Sequence, residues 1–376
     1  MKATISHISI SGFKSIRELR DFELRDLNII IGANGAGKSN FIQVFHLLMN
    51  MTRQNFQKFV QENGGADNFL HNGPKHTSEI RIKLTLGPNW PFYQFYRGKL
   101  TPTVNETFLL EETISSDRYP SFSPPSRESS LRDWQASEND EIPINGWSPS
   151  RNEGGDILIP SWMVYHFHDT SLTAKMRRSE IIEDNERLRG NGDNIAPFLL
   201  RLKEDEALRS HYREIVQAIR LVMPFFDDFR LDVKRFGEAE KVRLSWQQKG
   251  SDFPMQPYHL SDGSIRFICL ATVLLQPNPP SLIVIDEPEL GLHPEAIAIL
   301  AELIQAAAKK TQLVVATQSP LLLNAFALED IVVMNREDGQ SRFARLNADD
   351  FGEWLREYSL GELWAKNVID GGSRHE

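Results

Sequence analysis

The strongest constraint on the fold is a glycine-rich loop, GANGAGKS, at residues 32–39. It has the GxxxxGK[ST] spacing and follows residues 27–31, a largely apolar run typical of a strand buried on both faces of a parallel sheet. Residues 38–51 carry apolar side chains on one side, which predicts a helix. A buried strand, a glycine loop and a helix in this order predict an α/β core with a phosphate site.

Each part of this phosphate loop (residues 32–39) has a physical purpose. Its glycines let consecutive backbone N–H groups point at phosphate oxygens, and the helix N-terminus adds partial positive charge. Lys38 is expected to reach the β- and γ-phosphates, and the Ser39 hydroxyl is expected to bind Mg²⁺. The sequence therefore predicts ATP and Mg²⁺ as ligands. The residues predicted to bind the nucleotide here are Gly32, Asn34, Gly35, Ala36, Gly37, Lys38, Ser39 and Asn40.

A second apolar run, residues 282–285, ends in two adjacent carboxylates, Asp286 and Glu287. Open α/β sheets place their ligands at the carboxyl ends of strands. Asp286 is therefore predicted to hold Mg²⁺, and Glu287 to act as general base on an attacking water.

Residues 260–267 read LSDGSIRF and resemble the LSGGQ signature of ABC ATPases, with Asp262 in place of the first glycine. A hydroxyl at the start of a helix suits another phosphate, although Ser261 could equally be an ordinary helix cap. The resemblance implies a homodimer in which Ser261 and Gly263 contact the ATP that is held by the partner.

Three more motifs resemble those of ABC proteins. Residues 289–294 (ELGLHP) are similar to the D-loop, and Gln318 stands where many members have a switch histidine. A glutamine can hydrogen-bond a phosphate or water but cannot become positively charged. Lys14 and Ser15 belong to a GFKS segment similar to one in SMC and RecF-type ATPases, which implies a place near the nucleotide, although the residues alone fit an ordinary strand-to-turn junction equally well. The predicted catalytic set is Glu287, Lys38 and Gln318.

Nearly the whole chain resembles the bacterial AAA/ABC-like ATPases related to RecF, SMC and OLD ATPase heads. Sustained heptads are missing, and the fifty-six residues after Pro320 are too few for the nuclease domain of OLD proteins. The resemblance implies a P-loop NTPase of ABC type. Its mixed central sheet is expected to carry an antiparallel strand lobe and an inserted helical lobe.

Composition along the chain predicts four parts. Residues 1–114 should hold the phosphate loop and antiparallel strands, and residues 115–156, rich in Ser, Pro and Gly, a flexible polar insert. Residues 157–250 should form a strand, a helical lobe and a hairpin, and residues 251–376 the C-terminal ATPase lobe. Helical spacing is expected from about Leu172 to Phe226.

Two clusters have open interpretations. His166, His168 and Asp169 stand where ABC proteins have the loop that senses Mg²⁺ and water, so His168 or Asp169 could line the nucleotide site. Alternatively, Asp169 and Thr170 cap a turn. A basic stretch could contact nucleic-acid phosphates or be a solvated helical face. Its members are Lys175, Arg177, Arg178, Arg187 and Arg189.

Composition limits the biological role. A net charge of −9 lowers the expectation of DNA binding by bulk charge but allows a local basic patch. The single cysteine, Cys269, rules out an internal disulfide framework, and no apolar run is long enough to span a membrane. A cytoplasmic location is expected. Three roles compete: DNA repair and maintenance, control of a separately encoded effector in a defence or toxin system, and an ATP-bound scaffold without hydrolysis.

Overall fold

The computed structural model describes residues 4–86, 94–116, 120–129, 161–351 and 354–369. Its helices are α1 (Lys38–Thr52), α2 (Phe56–Glu62), α3 (Ile195–Glu204), α4 (Arg209–Val222), α5 (Asp262–Leu275), α6 (Pro294–Ala308), α7 (Pro320–Leu323), α8 (Ala348–Phe351) and α9 (Leu360–Ala365). Its strands are β1 (Ile5–Phe13), β2 (Ile16–Glu23), β3 (Leu27–Gly32), β4 (Ile80–Leu86), β5 (Gln94–Pro102), β6 (Phe108–Ser116), β7 (Pro120–Ser126), β8 (Trp162–Tyr165), β9 (Glu180–Ile181), β10 (Phe226–Arg230), β11 (Lys234–Phe236), β12 (Ala239–Val242), β13 (Ser245–Gln248), β14 (Pro254–Met255), β15 (Leu282–Asp286), β16 (Gln312–Ala316), β17 (Ile331–Glu337) and β18 (Gln340–Arg345).

A six-stranded mixed sheet forms the centre, in the order β18-β17-β3-β16-β15-β8. The strands from β17 to β8 run parallel, and β18 closes one edge by antiparallel pairing with β17. Every residue of β3 and β16 is buried, which explains why their sequences are apolar runs without alternation. The predicted mixed sheet is confirmed.

The register of this sheet brings four strand ends to one edge. Ala316 of β16 pairs with Asp286 of β15 and with Ile30 of β3, and Tyr165 of β8 pairs with Ile285. Because all four strands are parallel, the loops that follow them leave the sheet on the same side. This edge therefore gathers the phosphate loop, the acidic pair and the segments that begin at positions 166 and 317.

Helix α1 packs against the central sheet through β8, β15, β16 and β3. Phe41, Val44, Phe45 and Leu48, the residues predicted to face the core, are all buried. The helix begins at Lys38 and ends at Thr52, within one residue of the predicted end. Its apolar face therefore fixes where the loop before it meets the sheet.

A second six-stranded sheet is antiparallel throughout, in the order β2-β1-β4-β5-β6-β7. The alternating residues around 79–114 form β4, β5 and β6, as predicted. Residues 120–126 form β7, which pairs with β6, although a polar loop was predicted there. Pairing with a neighbouring strand overrides the Ser- and Pro-rich composition of this edge strand. The rest of the predicted insert, residues 117–119 and 130–156, lies outside the described residues.

The helical lobe is shorter than predicted. Helical spacing was expected from Leu172, but the first α-helix of this region begins at Ile195. Residues 172–194 instead form turns, a short 3₁₀ segment (Lys175–Arg177) and β9. Asn and Gly residues break the pattern, and Gly192 has a φ of +73° that interrupts any helix. The division of the chain into four parts stays a prediction.

The hairpin predicted from residues 229–236 and 241–246 is present as two nested pairs. Strand β11 pairs with β12, and β10 pairs with β13. Strand β9 adds to β12, and β14 adds to β13, so that two small three-stranded sheets result. Within the described residues, no helix is both long and apolar enough to cross a bilayer.

Candidate nucleotide site

The phosphate loop joins β3 to α1 in the geometry that its glycines predict. Gly35 and Gly37 have φ values of +82° and +108°, which side chains with a Cβ rarely adopt. A Cβ on Gly37 would collide with the hydroxyls of Ser341 and Ser15. Asn34 and Gly35 are exposed at the tip of the loop, and Ser39 is exposed in the first turn of α1.

Lys38 is folded over this loop. Its Nζ donates to the carbonyls of Gly32 at 2.6 Å and Ala33 at 3.2 Å, and the residue is 7% exposed. Burial lowers the pKa of Lys38, while the charges of Glu287 and Asp286 act in the opposite direction. The ammonium therefore lies close to the acidic pair without forming an ion pair with it.

The acidic pair lies at the carboxyl end of β15. Burial first, and the charge of Glu287 second, raise the pKa of Asp286 to about 6, while Lys38 acts in the opposite direction. Glu287 has a φ of +45° and donates its backbone N–H to the carbonyl of Ala316 at 2.8 Å. Left-handed backbone is uncommon for a residue with a side chain and occurs often at functional sites.

The segment after β16 reaches across to both glutamates that follow β15. Gln318 donates its side-chain N–H to Oε1 of Glu287 at 2.8 Å, and its backbone N–H to Oε1 of Glu289 at 3.1 Å. The hydroxyl of Thr317 also donates to Oε1 of Glu289, at 2.6 Å. Oε2 of Glu289 is buried without a hydrogen-bond partner among the described residues. The structure therefore places Gln318 against the predicted general base.

His168, whose role was open, faces the same carboxylate after β8. Its Nε2 lies 3.9 Å from Oε2 of Glu287, and its Nδ1 lies 2.8 Å from Nδ1 of His166. Asp169, by contrast, accepts hydrogen bonds from the backbone and the hydroxyl of Ser171 and turns away into solvent. Of the two interpretations, turn formation fits Asp169, while His168 lines the site.

Lys14 and Ser15 lie beside the phosphate loop, as the GFKS resemblance implied. The Ser15 hydroxyl accepts from Nδ2 of Asn40 at 2.8 Å and from the hydroxyl of Ser341 at 2.8 Å. Ser341 also donates to the carbonyl of Ala36 at 2.6 Å. Sequence reasoning missed Ser341, because it stands more than 300 residues downstream in β18 and belongs to no motif.

A cavity of about 410 Å³ opens next to this cluster. Its polar lining includes both predicted residues and residues that carried no sequence signal. The lining includes Lys14, Ser15, Asn40, Asn72 and Arg336. The cavity is continuous with the face of the phosphate loop, since Asn40 and Ser15 contribute to both.

The signature loop (residues 260–264) begins α5. Ser261 is the N-cap of α5, and its hydroxyl accepts from the backbone N–H of Ser264 at 3.1 Å. Ser261 is exposed. None of the hydrogen bonds of Ser261 in the described residues reaches the phosphate loop of the same chain. Gly263 lies so close to the carbonyl of Gly291 that a Cβ would overlap it. The signature loop therefore packs on the segment predicted as the D-loop.

Two buried arginines, both overlooked as site residues, hold this loop to the histidine segment. Arg177 donates to the carbonyls of Thr170 and Leu260 and pairs with Asp262 at 3.0 Å. Arg266 donates to the carbonyl of Phe167 at 2.9 Å and to that of Leu290. Arg177 was predicted to lie on a solvated or phosphate-binding stretch, but it is 6% exposed, so neither interpretation applies to it.

The donor set suits Mg²⁺ with a nucleotide. Three carboxylates, of Asp286, Glu287 and Glu289, share one strand end with only Lys38 opposing them, so a cation there relieves a real charge imbalance. Mg²⁺ usually takes one or two carboxylates together with phosphates and waters. In the described residues, no group of three or more His, Cys, Asp or Glu side chains forms a self-sufficient metal site.

Comparison with known proteins defines the class of this fold and site. The family AAA_21, described as "AAA domain, putative AbiEii toxin, Type IV TA system", matches residues 27–324, more than half of the chain. The chain belongs to this family of AAA-type P-loop ATPases. A search of curated proteins gave no match.

Solved structures agree on the fold. An SMC head bound to the C-terminal winged-helix domain of ScpA has a TM-score of 0.62 at 16% identity, covering 93% of this chain and 99% of that one. The SMC head of Pyrococcus furiosus, with an extended coiled coil and bound to the C-terminal domain of ScpA, has a TM-score of 0.59 at 14% identity, covering 94% and 99%. At these identities the likeness shows the fold alone. Together with the family match, this fold confirms an AAA/ABC-like ATPase related to SMC heads.

Proposed function

We propose that the chain hydrolyses ATP and that two copies close on ATP as a switch. The observation that carries the proposal is the meeting of Lys38, Glu287 and Gln318 at the carboxyl ends of the adjacent strands β3, β15 and β16. Phosphoryl transfer to water depends on positioning and charge stabilisation, which this arrangement supplies.

Each residue has a proposed task. The backbone N–H groups of the phosphate loop and Lys38 bind the phosphates, with Ser39 and Asp286 as Mg²⁺ ligands. Glu287 orients and deprotonates the water, and Gln318 holds Oε1 of that carboxylate. Mg²⁺, when bound, supplies positive charge to the phosphate oxygens. Lys38 leaves its contacts with Gly32 and Ala33 when phosphate replaces those carbonyls.

The partner for closure is a second copy of the chain. Ser261 is exposed and makes no hydrogen bond to the phosphate loop of its own chain within the described residues. Leu290, in the segment after β15, and Leu321, in the segment after β16, expose 46% and 52% of their surface. Exposed apolar side chains beside an exposed phosphate-binding motif support an interface that forms around ATP.

Glu287→Gln tests both parts of the proposal. The amide keeps the shape of the side chain but cannot accept a proton, so we expect ATP binding without turnover and accumulation of a dimer. Phosphate release and light-scattering mass at saturating Mg-ATP measure the two effects. Glu295→Gln, an equal change on exposed α6, is the control and should behave as wild type. Unchanged phosphate release contradicts the role of Glu287 in hydrolysis. A monomer at every ATP concentration contradicts closure of two copies on ATP.

A second candidate role, in DNA repair or maintenance, is favoured by one surface. Cross-strand partners lie on the same face, and Lys234 pairs with Lys241, which pairs in turn with Ile181. Like charges opposite each other destabilise a sheet, so this pair serves something other than folding. Phe236 on the same face is 55% exposed, and Arg243 follows two residues after Lys241. Cations beside an exposed aromatic ring suit phosphates and a stacked base.

A charge-reversal pair tests this role. Lys234→Glu with Lys241→Glu should weaken binding of a labelled single-stranded oligonucleotide. The slope of log affinity against log salt concentration should become shallower by about one phosphate contact for each lysine. Fluorescence anisotropy between 50 and 200 mM salt measures both. Lys309→Glu with Lys310→Glu makes the same charge change at the exposed end of α6 and should leave binding unchanged. Equal loss in both pairs means that only overall charge matters.

The family description favours a further alternative, in which the ATPase controls a separately encoded effector of a toxin system. Co-purification of one neighbouring gene product, released by ATP in wild type but retained by Glu287→Gln, supports that role. Absence of phosphate release with and without DNA supports a non-hydrolysing scaffold instead.

A further inference from the structure

The two oxygens of the Glu287 carboxylate face two different side chains. Oε1 accepts from Gln318 at 2.8 Å, and Oε2 lies 3.9 Å from Nε2 of His168. The side chains of Glu287 and His168 are 31% and 29% exposed, so neither is free in solvent. His168 and Gln318 therefore bracket the carboxylate from opposite sides.

The imidazole of His166 packs against that of His168. The ring nitrogens of His166 lie 2.8 Å and 2.9 Å from Nδ1 of His168, and the rings meet at 74° with centroids 3.8 Å apart. Burial lowers the pKa of both imidazoles. Nδ1 of His168 lies against the ring of His166, which leaves Nε2 as the nitrogen that faces Glu287.

The backbone around these histidines is fixed. His166 donates its N–H to the carbonyl of Gly190 at 2.8 Å, and the carbonyl of Phe167 accepts from Arg266 at 2.9 Å. The carbonyl of Thr170 accepts from buried Arg177 at 2.9 Å. Anchors on both sides of His168 limit how far its ring can move from the carboxylate.

We propose that His168 is a positioning residue for ATP hydrolysis, which holds Oε2 of Glu287 while Gln318 holds Oε1. With both oxygens held, the carboxylate presents a fixed lone pair to the attacking water. A distance of 3.9 Å exceeds a hydrogen bond, but such contacts are often long without substrate and tighten when it binds. The proposal rests on the proposed hydrolytic function, since it assigns His168 a task only through Glu287.

Steady-state kinetics of three variants test it. His168→Ala should lower kcat about ten- to a hundredfold and leave KM for ATP unchanged, because the residue orients a group rather than binding the phosphates. His168→Gln, whose amide N–H can donate in the same direction, should recover most of that loss. His76→Ala, at an exposed histidine outside the site, is the control. Binding of a fluorescent ATP analogue by each variant shows that it is folded.

A double variant separates a local role from general damage. Since His168 and Gln318 act on one carboxylate, His168→Ala with Gln318→Ala should lose less than the product of the two single losses. A loss equal to that product, or a kcat for His168→Ala within about twofold of wild type, overturns the positioning role. Wild-type turnover by Glu287→Gln overturns the hydrolytic mechanism itself, so the two failures are distinguishable.

Discussion

Asp286 carries a carboxyl that the folded chain keeps partly desolvated beside two other acids. Its pKa is raised from 3.8 to about 6 by burial first and by Glu287 second. Without Mg²⁺, this negative charge destabilises the folded state, because the unfolded chain ionises the same group more easily. Asp286 is thus expected to lower the stability of the metal-free folded state while providing a ligand for a cation.

Metal-free stability of Asp286→Asn tests this expectation. Below about pH 4 the carboxyl is protonated in both states, so wild type and variant should be equally stable. Between about pH 4 and 6 the unfolded chain loses this proton while the folded wild type keeps it, so wild type loses stability relative to the variant, by about 1 to 2 kcal/mol once the pH is above about 6. Urea unfolding in EDTA at pH 4, 6 and 8 measures this difference. A constant difference across that range contradicts the raised pKa.

Residue identities near the nucleotide were largely predictable, but their contacts were not. The spacing GxxxxGK[ST] marks Lys38, and an apolar strand marks Asp286, because each obeys a local rule. Ser341 and Arg177 obey no local rule: Ser341 bonds Ala36, more than 300 positions away, and Arg177 bonds Leu260, more than 80 positions away. Such contacts follow from sheet order and packing, which a single sequence does not reveal. The assigned roles themselves stay predictions until the variants are measured.

Among the elements, the start of α5 is held by a close backbone contact. Gly263 in its first turn meets the carbonyl of Gly291, and neither partner is a flexible side chain that could move aside. A side chain at this position must therefore push the signature loop and the segment after β15 apart.

Gly263→Ala should accordingly destabilise the protein by about 1 to 3 kcal/mol, although alanine favours helices. It should also lower ATP turnover, because the displaced loop carries Ser261. Thermal unfolding and phosphate release measure the two effects. Ser210→Ala, at the second residue of α4 as Gly263 is of α5, is the control. A variant as stable as the control shows that the loop can relax.

Secondary-structure elements were predictable where the periodicity of the sequence was strong. The predictions failed where contacts with other parts of the fold determine the local structure. Helix α1 and the strands β4, β5 and β6 follow directly from spacing and alternation. Strand β7 arises from pairing with β6, against its own composition. Residues 172–194 have helical spacing but are held in turns, with Arg177 as their buried anchor.

For the whole molecule, the proposed closure of two copies on ATP predicts that each site draws on two chains, with Ser261 supplied by the partner. Ser261→Arg should block only the partner's site, and Glu287→Gln only the site of its own chain. A heterodimer of the two then keeps one intact site of two.

Mixing these two inactive variants in equal amounts should restore about a quarter of wild-type activity, since half the dimers are mixed. Titrating one variant into the other while following phosphate release measures this. Each variant mixed with wild type at the same total concentration is the control. A mixture that remains inactive contradicts a shared site.

Ser341 has a consequence for synthesis of the chain. Its hydroxyl contacts the carbonyl of Ala36 and the hydroxyl of Ser15, and its backbone N–H donates to the carbonyl of Ser15. A residue near the C-terminal end of the chain therefore supports the phosphate loop near its N-terminal end. During translation, the first forty residues therefore gain these contacts only after almost the entire chain has emerged from the ribosome. Nascent chains should acquire nucleotide affinity late and abruptly, which keeps half-made ATPases from capturing ATP or each other.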